Sequence, residues 1–153
     1  MLHSQLAGSA DNNGAFDVVL AKMRQGTEPP PHVHSREDEF LYVLSGEIMV
    51  YVGGEVFPVI AGECVFLPRR EPHAWLITSE EIHTILVVTP GGFTNAFDKM
   101  SAPAERMEVP TDVDTVTYAN ADLTETIKVF EHYGARFLTA EEIREEMPQY
   151  PDP

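Results

Sequence analysis

The chain has 153 residues, 43% of them hydrophobic, which fits one globular domain with a real core and argues against intrinsic disorder. Its formal charge of −15 argues against a nucleic-acid backbone or an anionic membrane surface as partner, since both are held by clustered Lys and Arg. No apolar run approaches the roughly eighteen residues of a membrane span. Met1 to Gly14 lacks the basic-then-apolar order of a signal peptide, and the single Cys64 has no internal disulfide partner. A cytoplasmic location is therefore expected.

In chain order, the front two-thirds read as short β-rich segments separated by turn residues. Phe16–Met23 is the first. Phe40–Leu44 and Glu47–Val52 flank Ser45-Gly46 and read as a hairpin, and Gly53-Gly54 makes a second hairpin turn into Glu55–Ile60. Val65–Leu67, His73–Thr78 and Ile82–Thr89 follow, ending at Pro90-Gly91-Gly92. Many short strands at this spacing indicate a sandwich or barrel rather than a parallel α/β sheet. Gly26, Gly46 and Gly62 read as turn positions needing positive φ.

The last third changes character. Pro103–Thr117 is acidic and proline-punctuated, and reads as an irregular crossing segment. Asp122 with Glu125 suggests a capping box, followed by Leu123, Ile127 and Phe130 at helical spacing and a stop at Gly134. Thr139 with Glu142 suggests a second cap, for a helix through Met147 ended by Pro148. Such short helices must pack on the barrel or on another subunit.

The residues that carry chemistry lie in the β-rich part. His32 and His34 are two apart, which in an extended strand places both on one face. Glu39 lies just beyond, and His73 heads a later strand. Imidazole nitrogens with one carboxylate oxygen suit Mn, Fe, Co, Ni, Cu or Zn, and four protein ligands leave one or two coordination positions open. Glu37 and Asp38 are rival carboxylates that read better as a solvated acidic turn. His3, His83 and His132 read as non-ligands, and Cys64 as a small buried hydrophobe. Pro29–Pro31 forms a rigid extended lead-in to His32.

The stretch Gly26–Gly46 reads G-x5-H-x-H-x4-E-x6-G, and Gly62, Pro68 and His73 fit G-x5-P-x-G-x2-H-x3-N. These motifs resemble those of the cupins. Arg70 stands where the second motif has glycine and Ile77 where it has asparagine, on turn and strand positions rather than ligands. Pro29–His34 with Glu37–Glu39, Leu67-Pro68-Arg69 before Pro72–Trp75, Thr89–Phe93 and Tyr133-Gly134 are similar to the single-domain, quercetin 2,3-dioxygenase-like cupins. The resemblance implies an all-β fold, the cupin double-stranded β-helix or jelly-roll barrel, with a short helical C-terminal extension. Residues 1–153 are read as a single domain, with a barrel core of about 15–98 and an extension of about 99–153.

It also implies one divalent transition metal on His32, His34, Glu39 and His73, with Glu39 as the catalytic base of a dioxygenase acting on a small aromatic or enolic substrate. A metal-dependent isomerase, lyase or hydrolase, or a non-catalytic small-ligand binder, stays open at this point. Alternation that points Glu39 inward also points Leu41 and Val43 inward, and Phe40 and Tyr42 outward. Trp75 shares a face with His73. Met23, Leu41, Met49, Phe66 and Trp75 are the candidate substrate-pocket walls, and exposed Phe40 and Tyr42 suit a homodimer.

Overall fold

The computed structural model describes residues 1–109 and 122–151. Two five-stranded antiparallel sheets face each other and form the expected all-β barrel. The strands are β1 (Leu2–Ala7), β2 (Asp17–Arg24), β3 (His32–His34), β4 (Asp38–Ser45), β5 (Glu47–Val52), β6 (Glu55–Ile60), β7 (Cys64–Leu67), β8 (His73–Ile77), β9 (Glu81–Thr89) and β10 (Ala135–Phe137). The helices are α1 (Asn95–Met100), α2 (Thr124–His132) and α3 (Ala140–Glu146). The first sheet has the order β1-β2-β9-β4-β7, and the second β10-β3-β8-β5-β6. No described helix is long and apolar enough to cross a membrane.

Alternation places the core. Along β2 every second residue is buried, and Val19 and Ala21 meet Leu41, Val43 and Leu67 of the same sheet. Ile48, Val50, Trp75 and Ile77 oppose them from the second sheet. Each Val, Leu or Ile side chain among them contributes roughly 1.5–3 kcal/mol of apolar burial, and the shared interior is what holds the sheets together.

The structure departs from the sequence reading at several turns. β4 and β5 are not a hairpin: β4 pairs with β7 and β9, whereas β5 pairs with β6 and β8. Ser45-Gly46 is a corner at which the chain changes sheets. Gly46 has φ +86°, and a Cβ there would run into the Glu81 carbonyl, so glycine is required. Gly53-Gly54, by contrast, does close a two-residue hairpin, with Val52 opposite Glu55 and both glycines at positive φ. Gly26 and Gly62 also have positive φ. Arg70 adopts the left-handed conformation (φ +64°) at the position where the motif has glycine, and its N–H donates to the His34 carbonyl at 2.7 Å. The turn geometry is thus kept without the glycine.

Strands β1 and β10 lie outside the span of about 15–98 expected for the barrel core, yet both join the sheets. Neither short segment shows a clear alternation of its own, and each is held by its partner strand. β10 pairs with β3, Ala135 opposite His34 and Phe137 opposite His32. The irregular segment expected over Pro103–Thr117 is described only as far as Val109; its remainder lies outside the described residues. α2 begins one residue later than expected: Asp122 accepts from Thr124 N at 3.0 Å and forms no box with Glu125. Gly134 ends α2 with φ +96°. Thr139 and Glu142 do form the capping box of α3. α3 lies on the outer face of the second sheet, where Leu138, Ile143 and Met147 bury Tyr51 and Ala74.

Candidate metal centre

Two strands of the second sheet and one of the first bring the candidate ligands together. The Pro30 carbonyl accepts from His32 Nδ1 at 2.8 Å, and the Pro31 carbonyl accepts from Leu138 N, so the proline lead-in is held at its C-terminal end beside His32. In β3, His32 and His34 point inward and Val33 does not. His73 opens β8 directly opposite His32, with ring centroids 4.6 Å apart. Glu39 reaches across from β4. All four side chains are buried, and their ligand atoms lie within 4.8 Å of one another. His3, His83 and His132 lie outside this cluster.

The orientation of the rings suits a cation. A carbonyl oxygen can only accept, so Nδ1 of His32 and of His73 must carry the proton it donates to Pro30 and to Glu71, respectively. That leaves each Nε2 with its lone pair facing the centre. Nε2 of His34 and of His73 approach the Glu39 carboxylate at 3.2 and 3.5 Å without hydrogen-bond geometry, and both atoms are buried without a hydrogen-bond partner. Buried, convergent imidazole nitrogens without a hydrogen-bond partner beside a carboxylate suit a transition metal, provided that each ring gives up its proton on the side facing the ion.

Electrostatics tell the same story. Burial opposes charge on His34, but the carboxylates of Glu39 and Glu37 outweigh it and raise the imidazole to about 9. Burial would likewise raise Glu39, yet His34 and His73 hold its carboxyl well below the usual range. His32, pushed down by burial and by His73, falls to about 3. Glu39 is therefore an anion in a pocket that favours one added positive charge.

Two residues differ from the sequence reading. Glu37 is not a solvated turn residue: it is buried, with Oε2 at 3.5 Å from His34 Nδ1 and Oε1 at 3.3 Å from Arg36 Nε. Asp38 does sit towards the surface, gripped by the Arg69 guanidinium at 3.0 and 2.6 Å and by Arg69 N at 2.8 Å. Cys64 is exposed rather than buried, because β7 turns Val65 and Leu67 inward.

A cavity of about 90 Å³ adjoins His32 and Glu39. Met23, Leu41 and Trp75 line it, Leu41 and Trp75 on the faces that alternation assigns them. Met49 and Phe66 do not. Phe66 is 56% exposed on the outer face of β7, and Met49 packs under the C-terminal segment on the outer face of β5. Both lie within wholly apolar runs, Val65–Leu67 and Ile48–Val52, in which side-chain type gives no parity. Sequence reasoning missed Thr84, Leu86, Phe93, Phe97 and Phe130 as wall residues. For Thr84 and Leu86 the signal exists, since at a spacing of two they share the inward face of β9 with Ile82 and Val88. Phe93 packs edge-on against His34 at 4.4 Å and directly follows the Pro90-Gly91-Gly92 turn.

Residues 19–89 match the cupin domain family and include all four clustered residues. A quercetin 2,3-dioxygenase of Bacillus subtilis (strain 168) is 24% identical over 105 residues, covering 69% of this chain and 31% of the relative. Polyketide synthase CurC of Streptomyces cyaneus is 32% identical over 72 residues, covering 46% of this chain and 47% of the relative. This chain thus spans about a third and about half of the length of these two curated relatives. The solved structure of KdgF from Halomonas sp. superimposes with a TM-score of 0.54 at 22% identity, covering 65% of this chain and 83% of that one, a likeness of fold.

Proposed function

We propose that this chain, which carries a cupin domain, holds one divalent transition metal on His32, His34, Glu39 and His73 and acts as a dioxygenase on a small enolic or phenolic molecule. The observation that carries the reading is the convergence of four buried donors within 4.8 Å beside a mostly apolar cavity. The relative named a quercetin 2,3-dioxygenase supports the reaction class.

When bound, the ion supplies Lewis acidity, and with a redox-active metal the means to use O2. The chain's own residues do the rest. His32 and His73 are fixed through their Nδ1 bonds to Pro30 and Glu71, so the donor geometry is set before anything binds. Glu39, an anion in the cavity wall, takes the proton of a substrate hydroxyl on a carboxylate oxygen as general base. Trp75, Leu86 and Phe93 exclude water and press on the faces of a flat molecule. The reading includes a homodimer. Phe40 and Phe66 are cross-strand partners, 38% and 56% exposed on the outer face of the first sheet, and form the apolar patch that a second copy would cover.

The test is elemental analysis of the purified protein, followed by O2 uptake with a panel of flavonols. Near-stoichiometric metal with substrate-dependent uptake is expected. Metal without uptake would replace the dioxygenase by a Lewis-acid isomerase, lyase or hydrolase, or by a binding protein. Failure to load any of these metals would end the metal-centred reading.

A further inference from the structure

Thr84 is fully buried on β9 and lines the cavity, and its Oγ1 has no hydrogen-bond partner among the described residues. Its cross-strand neighbours are Ala21 and Val43, neither of which can bond a hydroxyl through its side chain. The other threonine of the wall, Thr27, already donates to the Arg24 carbonyl at 2.8 Å. An unbonded hydroxyl inside an apolar wall is costly to bury, and valine would fill the same space without that cost. A ligand that supplies the missing partner removes the cost.

The register gives the distance from the metal centre. On β9, Val88 is the residue opposite Glu39, and Thr84 lies four residues away on the same face. At about 3.4 Å per residue this is about 14 Å along the strand. Allowing for the lengths of the contacts at each end leaves roughly 10 Å between the two substrate atoms.

We propose that Thr84 is a specificity-determining residue that hydrogen-bonds a second polar oxygen of the substrate, roughly 10 Å from the oxygen engaged at the four-residue centre. The substrate class is then an elongated flat aromatic molecule with an oxygen at each end. The inference rests on the reading above that the other end binds at His32, His34, Glu39 and His73.

The test uses the full-length, metal-loaded protein and two probes, 4-hydroxybiphenyl and 4,4′-dihydroxybiphenyl, the second of which carries its two oxygens at the required separation. Trp75, the one tryptophan of the chain, lines the cavity, so quenching of its fluorescence reports occupancy without any turnover. The wild type is expected to prefer the dihydroxylated probe by about tenfold, the worth of one hydrogen bond. Thr84→Ser should keep that preference. Thr84→Val should lose it while binding the monohydroxylated probe as before, and its Tm should equal or exceed that of the wild type. An unchanged preference in Thr84→Val overturns the assignment, as does a sharply lowered Tm, which would give Oγ1 a structural role. Absence of quenching by both probes overturns the two-ended substrate class. Metal content and O2 uptake are scored separately, so loss of the dioxygenase reading is told apart from loss of the Thr84 assignment.

Discussion

Glu37 Oε2 lies 3.5 Å from His34 Nδ1, while the other nitrogen of the same ring faces Glu39 at 3.2 Å. His34 is thus held between two buried carboxylates, one towards the centre and one behind it. A carboxylate behind a ligating imidazole fixes its tautomer and raises its donor strength. Glu37→Gln should weaken metal binding about 10–100-fold with the fold retained, whereas His34→Ala should leave no metal after dialysis. Competition with a chromogenic chelator measures both. Wild-type affinity in Glu37→Gln would reduce Glu37 to a packing residue.

On the proposed reading, a metal competes with the proton for His34. In the metal-free protein its imidazole is raised to about 9, so near neutral pH it carries a proton that a metal must displace. Metal uptake at neutral pH should release close to one proton. The apparent affinity should rise about tenfold per pH unit and flatten near pH 9. Calorimetry in buffers of different ionisation enthalpy counts that proton. A pH-independent affinity below 9 would contradict the raised His34.

The same shifts set the stability of the metal-free protein. The folded-state value of His34 lies above its ordinary 6.5, so its contribution is complete below 6.5 and is lost as pH rises through about 9. His32 works the other way: unfolded, it gains a proton near 6.5, but folded only near 3, so stability falls as pH drops below 6.5. Glu39, lowered in the fold, adds to that acid loss below its ordinary 4.5. Urea midpoints of the metal-free protein should peak near pH 6.5 and decline on both sides.

Two left-handed residues respond oppositely to substitution. Gly46 has φ +86°, and an added Cβ would meet the Glu81 carbonyl, so Gly46→Ala should cost at least about 2 kcal/mol. Arg70 has φ +64° and an exposed side chain, so Arg70→Gly should gain up to about 1 kcal/mol despite the looser unfolded chain. Urea unfolding distinguishes them. Equal effects at the two positions would mean that the corner at Gly46 can relax.

The C-terminal segment contributes separately. Ile143 is buried in the cluster that covers Tyr51 and Ala74 on the outer face of the second sheet. Ile143→Ala should lower stability by about 2–4 kcal/mol while metal stoichiometry is unchanged. Loss of metal together with loss of stability would show that the outer cover also holds the site.

The sequence by itself singled out the four residues that cluster, and it determined the parity of strands with mixed composition. His32 and His34 at a spacing of two, and Glu39 alternating with outward Phe40, have one arrangement in an extended strand, because successive side chains point to opposite faces. The cap of α3 was legible for a similar reason: Thr139 and Glu142 satisfy each other within one turn. Only the tertiary structure decided what long-range pairing controls. It set His73 against His32, sent β4 and β5 to opposite sheets, and drew Glu37 beneath His34. It also turned Phe66 and Met49 out of the cavity and left Thr84 inside it with an unbonded hydroxyl. An apolar run looks the same in either phase, and a hydroxyl's lack of a partner exists only once its neighbours are in place, so these features follow from the partners a strand finds rather than from the strand alone.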